Sequence, residues 1–184
     1  MAKASQALRE SALEGRSARF EWVSVQPAEP ARRLSLRAPQ DSLEAVSKAL
    51  GLTLPQKPKT STRMGARAAL WLGPDEWLVI DEAGDDPATG LAGVNAFHSA
   101  VDVSHRNVGI LVSGSGAEAT IAGGCPQDIS LAVFPVGACS RTVLGKIEIV
   151  LWRTGESEFR VECWRSFADY AFTHLTEAAR DAAA

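Results

Sequence analysis

Side chains that do chemistry on their own are scarce in this sequence. There are three cysteines, three histidines, two methionines and a single tyrosine in 184 residues. Cys125, Cys139 and Cys163 are odd in number, widely spaced and without a C-x-x-C pair. That excludes a disulfide framework or a thiolate zinc site and marks all three as structural thiols in a reducing compartment, the cytoplasm. His98, His105 and His174 form no H-E-x-x-H or H-x-H pairing, so no metal site is expected. No apolar run approaches the roughly 20 residues that cross a bilayer. Residues 1–17 lack an apolar core and carry Glu10 and Glu14, so they do not read as a secretory signal. A Walker loop and a G-x-S-x-G elbow are both missing.

What remains is an ordinary globular composition, 46% hydrophobic and 22% charged. The length suits one domain, or two small repeats sharing a core. The net charge of −3 is unevenly placed. Residues 1–67 hold 12 Lys/Arg against 6 Asp/Glu, and residues 68–184 hold 7 against 16. The basic residues are scattered singly, without interleaved aromatics, which argues against nucleic acid and for a face that meets an acidic partner. Residues 1–32, rich in Ala, Ser, Arg and Glu and ending near Pro27 and Pro30, are expected to form a flexible N-terminal arm. Trp22 within it suits either a partner or its own domain.

From residue 33 the pattern is regular. Leu34 and Leu36 alternate with charged residues as in a strand, and Asp41 with Glu44 opens a helix that Gly51 closes. Residues 55–67 read as a loop. Residues 68–72 and 77–81 read as strands around a turn at Gly73-Pro74-Asp75-Glu76, with a helix near 90–97. The order then repeats: a strand at 108–112, a helix at 115–122, a loop to about 140, strands at 147–151 and 159–163, and a helix at 167–180. Ser115 with Glu118 and Ser166 with Asp169 have capping-box spacing. Leu70-Trp71, Gly73, Glu76, Trp77 and Val79 recur with the same offsets from glycine as Leu151-Trp152, Gly155, Glu158, Phe159 and Val161. The expected fold class is α+β: two repeated strand–helix–strand–strand–helix units, about 33–100 and 101–184. Their mainly antiparallel sheets, flanked by helices, pack together in a folate-binding-domain-like architecture.

Three motifs invite a chemical reading. Gly114-Ser115-Gly116-Ala117-Glu118-Ala119 fits the dinucleotide fingerprint, but no second strand ends in an acid about 20 residues on, and a capped helix start accounts for it. Asp102-Val103-Ser104-His105-Arg106 gathers the residue types of a hydrolytic triad, though spacing alone does not assemble one, and a strand-edge role is preferred. The acidic stretch Asp81-Glu82-Ala83-Gly84-Asp85-Asp86 lacks calcium-loop spacing and reads as solvated. No catalytic, cofactor-binding or metal-ligating residue is assigned to this chain.

The stretch Ala69-Leu70-Trp71-Leu72-Gly73-Pro74-Asp75-Glu76-Trp77-Leu78-Val79 resembles the gamma-subunit family of bacterial heterotetrameric sarcosine oxidase. Leu54-Pro55, Pro58 and Asp102-Val103-Ser104-His105-Arg106 resemble it too. The segment through Gly114, Ala117, Asp128, Pro135, Gly137 and Arg141 is similar to the wider aminomethyltransferase, or glycine-cleavage T-protein, fold family. The resemblance implies a non-catalytic subunit of an enzyme that demethylates sarcosine to glycine, releasing H2O2 and forming 5,10-methylenetetrahydrofolate. It implies FAD, FMN, NAD and tetrahydrofolate on the alpha and beta subunits, zinc on the delta subunit, and all three subunits as partners. A free-standing folate-dependent aminomethyltransferase-like protein and a nucleotide-binding module at 114–119 are the alternatives.

Overall fold

A computed structural model describes residues 11–182. The strands are β1 (Ala18–Arg19), β2 (Ser24–Pro27), β3 (Arg32–Arg37), β4 (Ser61–Met64), β5 (Arg67–Gly73), β6 (Glu76–Asp81), β7 (Ser99–Asp102), β8 (Asn107–Ser113), β9 (Cys139–Leu144), β10 (Ile147–Gly155) and β11 (Glu158–Trp164). The helices are α1 (Leu43–Leu50), α2 (Ala88–Leu91), α3 (Ala117–Ala122) and α4 (Ala168–Asp181). The strands make two antiparallel sheets, one ordered β1-β2-β8-β11-β10-β9 and the other β4-β5-β6-β3-β7. The α+β class and the antiparallel pairing are as the sequence suggests.

Period-two alternation sorts the strand side chains into three cores. On β6, Trp77 and Val79 pack with Leu43, Val46 and Leu50 of α1, whereas Leu78 and Ile80 turn the other way. They meet Cys139, Val150 and Trp152 of the second sheet, so the two sheets stack face to face. Beyond that sheet, Ile149, Leu151, Phe159 and Val161 pack against Ile121, Phe172 and Leu175 of α3 and α4. The layers run helix, sheet, sheet, helix. Both faces of each sheet are therefore covered, and α4 buries Ala168, Ala171, Phe172, Leu175 and Ala179 at helical spacing.

The two halves have the same strand order. Read from one edge, one sheet runs β4-β5-β6-β3 and the other β9-β10-β11-β8. Each hairpin is bulged at its glycine, between Trp71 and Gly73 and between Arg153 and Gly155. The halves also exchange strands. β2 precedes β3 in the chain but pairs with β8, and β7 precedes β8 but pairs with β3. Each half thus supplies the next strand of the other half's sheet.

That exchange corrects the reading of the N-terminal arm. Residues 1–10 lie outside the described part, but β2 is hydrogen-bonded to β8, and Leu13, Val23 and Val25 are buried. Two valines at alternate positions suffice to dock a short strand, a signal too brief to stand out in a polar segment. Trp22 packs against its own core. Two further strands, β4 and β9, occupy segments read wholly or largely as loop, and the helix expected near 90–97 is the four-residue α2. The expected side-chain caps at Asp41, Ser115 and Ser166 are also absent: no cap hydrogen bond forms at any of these helix starts. Glu118 pairs with Arg153 instead, and Asp169 with Arg16.

Candidate functional site

The densest polar cluster lies between the sheets. β11 reads Glu158-Phe159-Arg160-Val161-Glu162-Cys163-Trp164, and alternation sends Arg160 and Glu162 to the face that meets the other sheet. Arg33 comes from β3 of that other sheet. Its Nε and Nη2 donate to the two Glu162 carboxylate oxygens at 2.6 and 3.1 Å, and its Nη1 donates to the Ala31 carbonyl. Arg160 Nε donates to the same carboxylate at 2.7 Å, while its Nη1 reaches Glu82 at 2.7 Å. Arg63 completes the chain on Glu82. Arg33, Arg160 and Glu162 are 4%, 2% and 1% exposed, so this is a fully desolvated triad rather than a surface pair. Gly109 faces it: a Cβ there would stand 2.8 Å from Glu162 Oε1 and 3.0 Å from Arg160 Nη2.

Burial alone would raise the Glu162 carboxyl, but the charges of Arg160 and Arg33 and their hydrogen bonds outweigh it and hold the group below its ordinary value. A carboxylate pinned in its ionised form by two guanidiniums does not trade protons near neutral pH. The triad binds the sheets to each other and is no general acid or base.

A second carboxylate, Glu76, sits in the hairpin turn. The hydrogen bond from Arg141 is the main reason its carboxyl is held low; burial opposes this, and the charges of Arg141 and Arg37 add to it. Arg141 lies on β9 and Arg37 on β3, so Glu76 also ties the two sheets. A third buried cation, Arg153, lies over the Phe159 ring at 4.3 Å and donates to Glu118 and to the carbonyls of Ile129 and Glu156. It fixes the loop that leads to β9.

The sequence motifs end up elsewhere and apart. In the 114–119 segment Gly114 has φ +117°, and a Cβ would lie 2.2 Å from the Trp22 carbonyl, which accepts from Gly116 N–H at 3.0 Å. These glycines admit the backbone before β2, not a phosphate. Asp102-Val103-Ser104-His105-Arg106 is the link between β7 and β8. Asp102 accepts from the Ser104 amide, Ser104 Oγ accepts from the Arg33 amide, and His105 is exposed, so no triad assembles. The acidic stretch is only partly solvated: Asp81 is buried against Arg67, and Glu82 belongs to the inter-sheet chain. Burial pushes the Cys139 and Cys163 thiols up to about 12, as inert structural thiols require. No cluster that could hold a metal occurs among the described residues. Sequence reasoning missed the triad because charged residues alternating with apolar ones look like a solvent face. The one available signal was the opposite charges of Arg160 and Glu162 two residues apart.

The most specific stretch of the sequence, Leu70 to Val79, forms the β5–β6 hairpin. Trp77 is 1% exposed and its indole N–H donates to the Pro55 carbonyl at 2.8 Å. A family model described as sarcosine oxidase, gamma subunit family matches residues 38–181. The chain belongs to that family. It is 31% identical over 137 residues to the sarcosine oxidase subunit gamma of Corynebacterium sp. (strain P-1), covering 73% of this chain and 68% of that one. Against the subunit gamma of an Arthrobacter species the identity is 36% over 64% of this chain and 59% of the relative. A solved chain of heterotetrameric sarcosine oxidase from Corynebacterium sp. U-96 superposes with a TM-score of 0.84 at 27% identity, covering 97% of this chain and 98% of that one. Aminomethyltransferase T of the Bartonella henselae glycine cleavage system shares the fold alone, with a TM-score of 0.66 at 15% identity over 87% of this chain and 49% of that one. As a member of the gamma-subunit family the chain has no described helix long and apolar enough to cross a membrane. The β5–β6 hairpin, with Glu76 clamped in its turn, lies inside the family's matched region.

Proposed function

We propose that this chain is a non-catalytic subunit of a heterotetrameric sarcosine oxidase. There it supports oxidative demethylation of sarcosine to glycine, with H2O2 and 5,10-methylenetetrahydrofolate as the other products. Alpha, beta and delta subunits are its partners in the cytoplasm. FAD, FMN, NAD and tetrahydrofolate sit on the two larger subunits and zinc on the delta subunit. One observation carries the reading: a chain of the Corynebacterium heterotetramer matches this one over 97% of its length. The chemistry of the interior agrees. The buried guanidiniums Arg33, Arg153 and Arg160 are each committed to protein carboxylates, and the Cys139 and Cys163 thiols are held protonated. Those are the groups that would otherwise bind an anionic cofactor or attack a substrate. The free-standing folate enzyme has less behind it, since this chain covers 49% of the aminomethyltransferase it resembles in fold.

The test is on the isolated chain. It should purify colourless, show no thermal shift with FAD, FMN, NAD or tetrahydrofolate, and release no peroxide with sarcosine. A flavin spectrum, or a folate-dependent shift in melting temperature, would overturn the assignment.

A further inference from the structure

At one end of the sandwich the two sheets part around a cleft of about 50 Å³ lined by Ser35, Arg106, Asn107 and Trp164 among others. One wall is the edge of a sheet. β7 pairs with β3 on one side and with no other strand among the described residues. The Val103 amide donates to the Arg33 carbonyl at 2.9 Å, so the antiparallel alternation turns the amides of Ala100 and Asp102 to the open side. Val101, paired with Ser35, is 54% exposed, and Phe97, just before the strand, is 81% exposed. An open edge with bare apolar side chains is a template for another strand.

The other wall is the end of β11. Trp164, paired with Asn107, is 42% exposed and stacks on Phe167 with ring centroids 6.0 Å apart. Arg106 lies over the Trp164 ring at 4.7 Å. The neighbouring arginines each have a carboxylate: Arg32 has Asp102, Arg37 has Asp75 and Glu76, and Arg141 has Glu76. Arg106 has none among the described residues. Between the walls the Asn107 Oδ1 is buried without a hydrogen-bond partner. A buried acceptor left unpaired is costly, and a donor from outside would satisfy it.

We propose that this cleft mouth receives an extended, carboxylate-bearing segment of a larger subunit of the complex. That segment adds a strand to the open edge of β7 and sets its carboxylate on Arg106 beside Trp164. The charge argument selects this occupant over a second copy of the chain: the unmatched group is a cation on an aromatic face, the Trp and Arg composition typical of energetic anchors at interfaces. The proposal rests on the reading of the chain as a subunit.

The experiment uses the full chain and the assembly of the other three subunits. Hydrogen–deuterium exchange on the free and assembled wild-type chain should show the Ala100 and Asp102 amides protected only in the complex. Arg106→Glu and Trp164→Ala, checked for wild-type circular dichroism and melting temperature, should weaken association tenfold or more, with the Arg106→Glu effect shrinking as salt rises. If the wild-type chain joins the assembly with β7 exchange unchanged, or if both folded variants bind as wild type does, the inference is overturned while the subunit reading stands. If the wild-type chain does not join at all, both fall.

Discussion

Arg33 on one sheet and Glu162 on the other are joined by two hydrogen bonds, 2.6 and 3.1 Å long, with almost no water around them. Arg160 shares the same carboxylate. Removing that carboxylate leaves two buried guanidiniums without their common partner. Glu162→Gln should therefore lower the unfolding free energy by about 3–5 kcal/mol. Urea denaturation followed by tryptophan fluorescence measures it. A loss below about 1 kcal/mol would mean that the sheets are held by apolar packing alone.

The same pair sets a pH dependence. The folded Glu162 carboxyl is held below its ordinary value of 4.5, so above that pH the unfolded and folded chains are both ionised here and the contribution is complete. As the pH falls below 4.5 the unfolded chain takes up the proton first, and the contribution is lost as the pH drops through the folded value. The stability gap between wild type and Glu162→Gln should thus be flat from about pH 5 to 7 and narrow at lower pH. A gap that widens on acidification would contradict this.

Gly114 and Ser115 should respond in opposite ways. Gly114 has φ +117° and no room for a Cβ beside the Trp22 carbonyl, so Gly114→Ala should cost at least about 2 kcal/mol through strain and the displaced β2 segment. Ser115 is exposed, and α3 starts without a side-chain cap, so Ser115→Ala should stay within about 0.5 kcal/mol of wild type. Thermal melts of the two variants side by side decide it.

How much of this was legible follows from signal length. The β5–β6 and β10–β11 hairpins were plain, because Gly73 and Gly155 mark turns between alternating runs. Their shared offsets place Trp71 opposite Trp77 and Arg153 opposite Phe159. The exchanged strands were not plain. β2 and β7 are four residues each, and nothing local says that each joins the sheet of the other half. The triad depends on that same stacking: Arg160 and Glu162 look solvent-facing until a second sheet covers them. The capping boxes failed because Arg153 and Arg16 claim Glu118 and Asp169, contacts set by tertiary structure.

The thiols offer a check on the interior. Cys139 and Cys163, with values pushed up to about 12, should resist alkylation by iodoacetamide at pH 8 in the native chain and react fully after unfolding. Peptide mass spectrometry reads each site, and rapid native labelling of either would show that its region opens.

The central claim is that this chain acts by joining larger subunits. It should be co-expressed with alpha, beta and delta subunits and the product weighed by native mass spectrometry, alongside a preparation lacking this chain alone. The predicted result is a heterotetramer containing one copy of the chain, with less assembly and less sarcosine-dependent peroxide release when it is left out. The contrary result is a fully active alpha–beta–delta enzyme beside a monodisperse monomer that never joins it.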